Sequence, residues 1–277
     1  MRSDWHIRIL PVALLVCAVL AAPLRAAPPD GFDRLWDALR LSPLVEIMQE
    51  EGLSQTEAIG FDYLPYPPGE GWAAIGRRIY DPAKMDEAMR LAFGGALGEG
   101  GIDDLVDFFE SPVGARIVEA ELDARQDFLD PAVEEEARRA LTAPGAEDGR
   151  LALIDEYIAV NDLVELNVMG ALNANFSFFQ GLAEGGGTEA AEDEMLAQVW
   201  SQEESTRVDT RDWLRAYLHH AYAGLTDDEI RTYIDLSGSA EGQRLNRALF
   251  EGFEQMYDHI YYALGLAVAD QMDAQDL

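Results

Sequence analysis

Beyond its first thirty residues the chain carries three histidines, His219, His220 and His259. Imidazole binds metals and moves protons near neutral pH, so these are the first side chains to weigh for chemistry. Neighbouring positions on a helix point about 100° apart, so His219 and His220 do not chelate one ion by themselves, which takes an i, i+4 spacing. A metal site would have to join one of them to His259 through the fold. Nucleophilic chemistry finds no Gly-x-Ser-x-Gly elbow, and there is no Asp-rich calcium loop and no phosphate loop. The one cysteine, Cys17, lies near the N-terminus. With 52 Asp and Glu against 20 Lys and Arg, carboxylate pairs occur at many spacings and say nothing about glycosidase-like chemistry. The residue types thus specify no metal, no cofactor and no catalytic set, and the chain leans towards a non-enzyme.

The charged residues that do recur at a fixed spacing are an Asp and an Arg nine positions apart, Asp107 with Arg116 and Asp235 with Arg244. They sit in an internal repeat: residues 97–117 return without a gap as residues 225–245. Leu97/Leu225, Ile102/Ile230, Asp107/Asp235, Ser111/Ser239, Gly114/Gly242 and Arg116/Arg244 are identical, and Val106/Ile234, Phe108/Leu236 and Ile117/Leu245 keep apolar character. A repeat of this kind reframes the whole fold.

In each copy, apolar residues at helical spacing stop at a serine followed three residues later by glycine. Ser111 before Pro112 reads as an N-cap with proline at the first helical position, and Ser239 caps the same way, with Gly238 suited to the left-handed end of the preceding helix. Each unit is therefore a helix, a sharp corner and a second helix. Gly114 and Gly242 in its first turn sacrifice up to ~1 kcal/mol of helix propensity, which points to close packing. Thr226 to Glu229 forms a capping box that the first copy, with Gly98 and Gly101 there, lacks. Folding at the corner would bring each Asp to its Arg, so a structural ion pair is expected, with a ligand role for the arginines as the alternative.

The first corner, Phe108-Phe109-Glu-Ser111-Pro112-Val-Gly114-Ala-Arg116, resembles the bacterial family called domain of unknown function two-zero-five-nine, whose pattern is roughly Phe-Tyr-x-Ser-Pro-x-Gly-(Lys/Arg). Ser239-Ala-Glu-Gly242-Gln-Arg244 matches more distantly: it lacks the proline and has Leu236-Ser237 for the aromatic pair. The resemblance implies an all-helical envelope protein with two tandem copies, the second divergent, and it carries over no catalytic residue.

Read in order, residues 1–26 form a secretory signal peptide, with Arg2, His6 and Arg8 before an apolar run and a small residue, Ala26, for cleavage. The run is short for a membrane span. The mature chain then divides into a first half (27–141), a linker (142–149) rich in small residues, and a second half (150–277). Both halves are helical throughout. Ser42-Pro43, Ser54 to Glu57, Asp81-Pro82, Asp130-Pro131 and Asp209 all read as helix starts. One long helix is expected over 151–179, carrying Asn161, Asn167, Asn173 and Asn175 as buried amides bonded across helices or lining a polar groove. The proline-rich loop holding Tyr63, Tyr66 and Trp72 is either pinned to the core by its aromatics or lines a peptide or glycan groove. The last helix buries Leu245, Leu249, Phe253, Met256, Ile260 and Leu264 on one face.

Cleavage removes Arg2, Arg8 and Arg25 and Asp4, a net +2, so the formal charge of −32 becomes −34. Such a surface repels nucleic acid and anionic membranes. The expectation is an all-α periplasmic protein of two similar halves, serving as an interaction or scaffold module for an unknown envelope protein, with no nucleic acid and no stable membrane span; the sequence does not specify its oligomeric state. An envelope hydrolase working between the halves and a carrier of a small ligand or lipid are the alternatives.

Overall fold

The computed structural model describes residues 31–98, 100–141 and 149–273, and the regular structure among them is entirely helical. The expected signal peptide and the stretch 142–148 of the expected linker lie outside the described residues. In order the helices are α1 (Phe32–Ala38), α2 (Leu41–Tyr63), α3 (Glu70–Ile79), α4 (Pro82–Leu97), α5 (Ile102–Phe109), α6 (Pro112–Asp127) and α7 (Pro131–Leu141). Then come α8 (Gly149–Val160), α9 (Leu163–Glu184), α10 (Glu192–Trp200), α11 (Glu203–Ala221), a single 3-10 turn (Tyr222–Gly224), α12 (Asp227–Gly238) and α13 (Ala240–Asp273).

Several junctions follow their local signals. Asp81 accepts from the Ala83 and Lys84 amides to start α4 with Pro82 at its first position, and Asp130 accepts from the Ala132 amide at 2.9 Å to start α7. Thr226 and Glu229 form the expected capping box of α12.

Tertiary burial overrides other signals. Ser42 does not cap α2, which begins at Leu41 after Arg40 in a left-handed conformation (φ 54). The Ser42 hydroxyl instead accepts from Trp36 Nε1 at 2.9 Å and donates to Asp86 at 2.6 Å, tying α1 to α4. The serine at 54 starts no new helix either: α2 runs through it, with Thr56 donating back to the Gly52 carbonyl at 2.8 Å. Gly52, Thr56 and Gly60 keep that face narrow, so that Tyr80 and Trp72 lie against it. Asp209 lies inside α11, which starts six residues earlier on the acidic turn at Glu203, so it caps nothing. The expected helix over 151–179 is two helices, broken where Asp162 takes a left-handed conformation (φ 52) as the N-cap of α9. Gly238 stays helical and Ser239 alone makes that corner.

The longest helix, α13, is the axis of the molecule. It packs along α9 and α4 and touches α3, α5, α2 and α12. Its approach to α9 is close because neither backbone carries a side chain at the crossing: a Cβ on Gly181 would lie 2.1 Å from the Tyr262 carbonyl oxygen, and one on Gly265 2.0 Å from that of Phe178. The hydrophobic interior does not divide at residue 141. Leu245, Met256, Ile260 and Leu264 of α13 join Trp36, Met89, Phe93 and Leu105 in one cluster, while Ile117 and Ala124 of α6 join Ile154, Leu218, Tyr222 and Ile230 in another. Helix α6 of the first sequence half and helix α13 of the second are thus each built into the interior of the other half. No helix among the described residues is long and apolar enough to cross a membrane.

Candidate functional site

Both corners are made the same way. The Ser111 hydroxyl accepts from the Gly114 amide at 3.2 Å, with Pro112 at the first helical position, and the Ser239 hydroxyl accepts from the Gly242 amide at 3.0 Å. A Cβ at 114 would lie 2.2 Å from the carbonyl oxygen of Phe108, and one at 242 would lie 2.0 Å from that of Leu236. The glycines are therefore required by the last turn of the helix before each corner, whose backbone passes where a side chain would stand.

The arginines do not pair with their own aspartates. Arg116 reaches from α6 to the entry of α12, where Nη2 donates to the Gly224 carbonyl at 3.0 Å and Nη1 meets Glu229 at 2.6 Å. Arg244 reaches from α13 to the turn before α5 and donates to the Gly100 carbonyl. The expected Asp107–Arg116 and Asp235–Arg244 bridges are replaced by this reciprocal crossing. Both aspartates are exposed on their helices, where water already solvates them, whereas a carbonyl at the end of a helix or in an irregular turn lacks a backbone donor and offers a fixed acceptor. Packing follows the same exchange, with α6 against α11 and α13 against α4. Glu229 is held below its ordinary pKa, first by the Thr226 amide, then by the Thr226 hydroxyl and by Arg116.

One group of buried and half-buried polar side chains was not singled out by the sequence. Glu121 of α6 keeps part of its surface in solvent, yet its Oε1 accepts from the hydroxyl of Tyr222, a fully buried residue, at 2.5 Å. Tyr217 of α11 donates to the Glu121 carbonyl at 2.6 Å, and Tyr157 of α8 stacks on Tyr233 of α12 with ring centres 4.9 Å apart. Burial pushes the Glu121 carboxyl up to about 7, and the bond from Tyr222 opposes that rise only in part. One turn further along α6, Arg125 clamps Glu51 of α2 with both nitrogens, at 2.5 and 2.6 Å, and lies over the Trp213 ring. Burial works against the Arg125 charge, but the bonds to Glu51 outweigh it and hold the guanidinium above its ordinary pKa. The cluster brings together Glu51, Glu121, Tyr157, Tyr217, Tyr222 and Tyr233 from α2, α6, α8, α11, the 3-10 turn and α12. Its only trace in the sequence is a tyrosine-rich stretch from 217 to 233, and spacing alone does not aim those rings at a common carboxylate.

The remaining candidates are spread apart. His220 Nε2 lies 3.0 Å from Asp127 and its ring leans on Phe128, so it faces α6 and not His259. Trp72 is buried and donates to the Thr56 carbonyl at 2.7 Å, Tyr63 rests edge-on against Phe178, and Tyr66 is exposed. Of the asparagines, Asn161 and Asn167 bond back to carbonyls of the preceding turn, Tyr157 and Leu163, and Asn173 crosses to Glu254 of α13. Two shallow grooves mark the surface. One, of ≈510 Å³, lies between α4 and α13 beside Arg244 and Arg247; the other, of ≈320 Å³, lies between α3 and α13 beside Arg78 and Asp270.

Residues 83–143 match the family model described as "Uncharacterized protein conserved in bacteria (DUF2059)". The match supports that family for the segment from α4 through α7, which contains the Ser111 corner and Arg116. No curated protein and no solved structure matches the chain.

Proposed function

We propose that residues 97–117 and 225–245 are the corners of two tandem copies of one helical unit, the second divergent, and that the chain is a non-catalytic interaction module of the cell envelope, exported by cleavage near Ala26. The observation that carries this reading is the use made of the repeated polar residues. Ser111, Ser239, Gly114 and Gly242 shape the corners, and Arg116 and Arg244 each hold the lead-in of the other copy. Residues used in this way build a rigid, interlocked body whose value is its surface. Glu121, the carboxyl with the most displaced pKa, serves the same end, since it bonds Tyr222 and lines neither groove.

The test is chemical cross-linking of the mature chain to its own envelope fraction, competed with excess purified protein. A saturable partner and an N-terminus near residue 27 are the expected results. Intact Met1 in the envelope would overturn the export reading. Turnover of peptidoglycan or ester substrates by the purified chain would overturn the non-catalytic one.

A further inference from the structure

The two crossing arginines are unequally bonded. Arg116 holds a carbonyl and a carboxylate, Glu229. Arg244 holds only the Gly100 carbonyl, and its buried Nε has no hydrogen-bond partner. The residue 128 places before Glu229 is Gly101, and a Cβ there would stand 2.8 Å from an Arg244 terminal nitrogen, so the guanidinium fills the space a side chain at 101 would need, and no carboxylate comes from that position. Arg247, three residues on and so on the same side of α13, makes no ion pair among the described residues. Neither Arg244 nor Arg247 is ion-paired among the described residues of a chain of formal charge −32, and Glu251 beside them accepts from Gln255 at 2.6 Å. Both border the ≈510 Å³ groove, whose floor is small and apolar at the buried Ala92 and Ala248 and whose rim carries the exposed Leu91, Ala96 and Glu251.

We propose that the groove between α4 and α13 binds the carboxylate of a small amphiphilic acid, with Arg244 and Arg247 on the charge and the alanine floor under the apolar part. Arg116 shows the recognition within the same chain: a guanidinium in this position takes one carbonyl and one carboxylate, and charge-assisted bonds of this kind are the strong ones. Glu241, whose Oε1 is 3.6 Å from the Cβ position of Gly101, competes for the same guanidinium and keeps the affinity modest. The inference uses the sequence equivalence of the two corners and not the interaction role proposed above, so either can fail alone.

The mature protein is titrated with hexanoate while the arginine Nε–H resonances are followed by NMR. Saturable binding is expected, with the largest shift at Arg244. Arg244→Gln and Arg247→Gln should each weaken it about tenfold, the loss of one charge-assisted partner. Arg231→Gln, at an exposed pair elsewhere, should change nothing, and Glu241→Gln should tighten it. N-acetylleucine in place of hexanoate separates a peptide C-terminus from a free acid by which binds more tightly, and its amide should not bind. Equal binding of the amide, equal binding of inorganic phosphate, no saturation in either the parent or Glu241→Gln, or indifference to Arg247→Gln, which is exposed and safe for folding, would each overturn the proposal.

Discussion

Glu121 Oε1 sits 2.5 Å from the hydroxyl of Tyr222, and this contact joins the corner helix α6 to the turn that leads into the second corner. It also places a titratable group in the interior, with consequences for stability. Burial raises the carboxyl from 4.5 to about 7 in the folded protein. A raised folded pKa means that the contribution is fully present below about pH 4.5 and is lost as pH rises through about 7. The displacement corresponds to at most about 3 kcal/mol, less for the part of the side chain that meets water. Glu121→Gln keeps an acceptor for Tyr222 and removes the titration. The stability difference between parent and variant should therefore move in the variant's favour between pH 5 and 8. Parallel urea melts across that range check it, and a constant difference would show that Glu121 titrates as an ordinary surface acid.

Because the carbonyls of Phe108 and Leu236 stand 2.2 and 2.0 Å from the Cβ positions of Gly114 and Gly242, alanine cannot enter without moving backbone. Gly114→Ala and Gly242→Ala should each cost at least about 2 kcal/mol, the order seen when a packed site is overfilled. Gly170→Ala, in α9 with nothing within 4 Å of its Cβ position, should stabilise by about 0.5–1 kcal/mol. Thermal melts of the three variants give the contrast, and equal effects would refute the steric account.

Double-mutant cycles separate the crossing pair from the within-corner pair. Asp107→Asn with Arg116→Gln, and Asp235→Asn with Arg244→Gln, should be additive, since neither pair is bonded. Glu229→Gln with Arg116→Gln should show coupling of about 1 kcal/mol or less, because the Arg116 side chain is 55% exposed although that of Glu229 is only 14% exposed. Coupling within a corner would contradict the observed geometry.

A chain of formal charge −32 repels itself over distances that salt shortens to about 8 Å at physiological strength. The midpoint temperature should climb between about 10 and 150 mM NaCl. A flat response would mean that the local pairs, such as Arg34 with Glu110 and Arg215 with Asp155, already neutralise the field.

The sequence by itself determined what short-range physics decides. Ser-x-x-Gly after an apolar helical run was enough to place both corners, because a serine oxygen and an amide three residues on meet whatever surrounds them. Asp81-Pro82 and the Thr226 box are the same case. Signals failed where burial outbid a local bond, as at Ser42, whose hydroxyl joined Trp36 and Asp86, and at residues 54–57, which a continuous buried face kept helical. Only the tertiary structure decided which helix each arginine meets and which rings surround Glu121. Those partners lie about a hundred residues apart, and no periodicity encodes the way α6 and α13 each pass into the core of the other half.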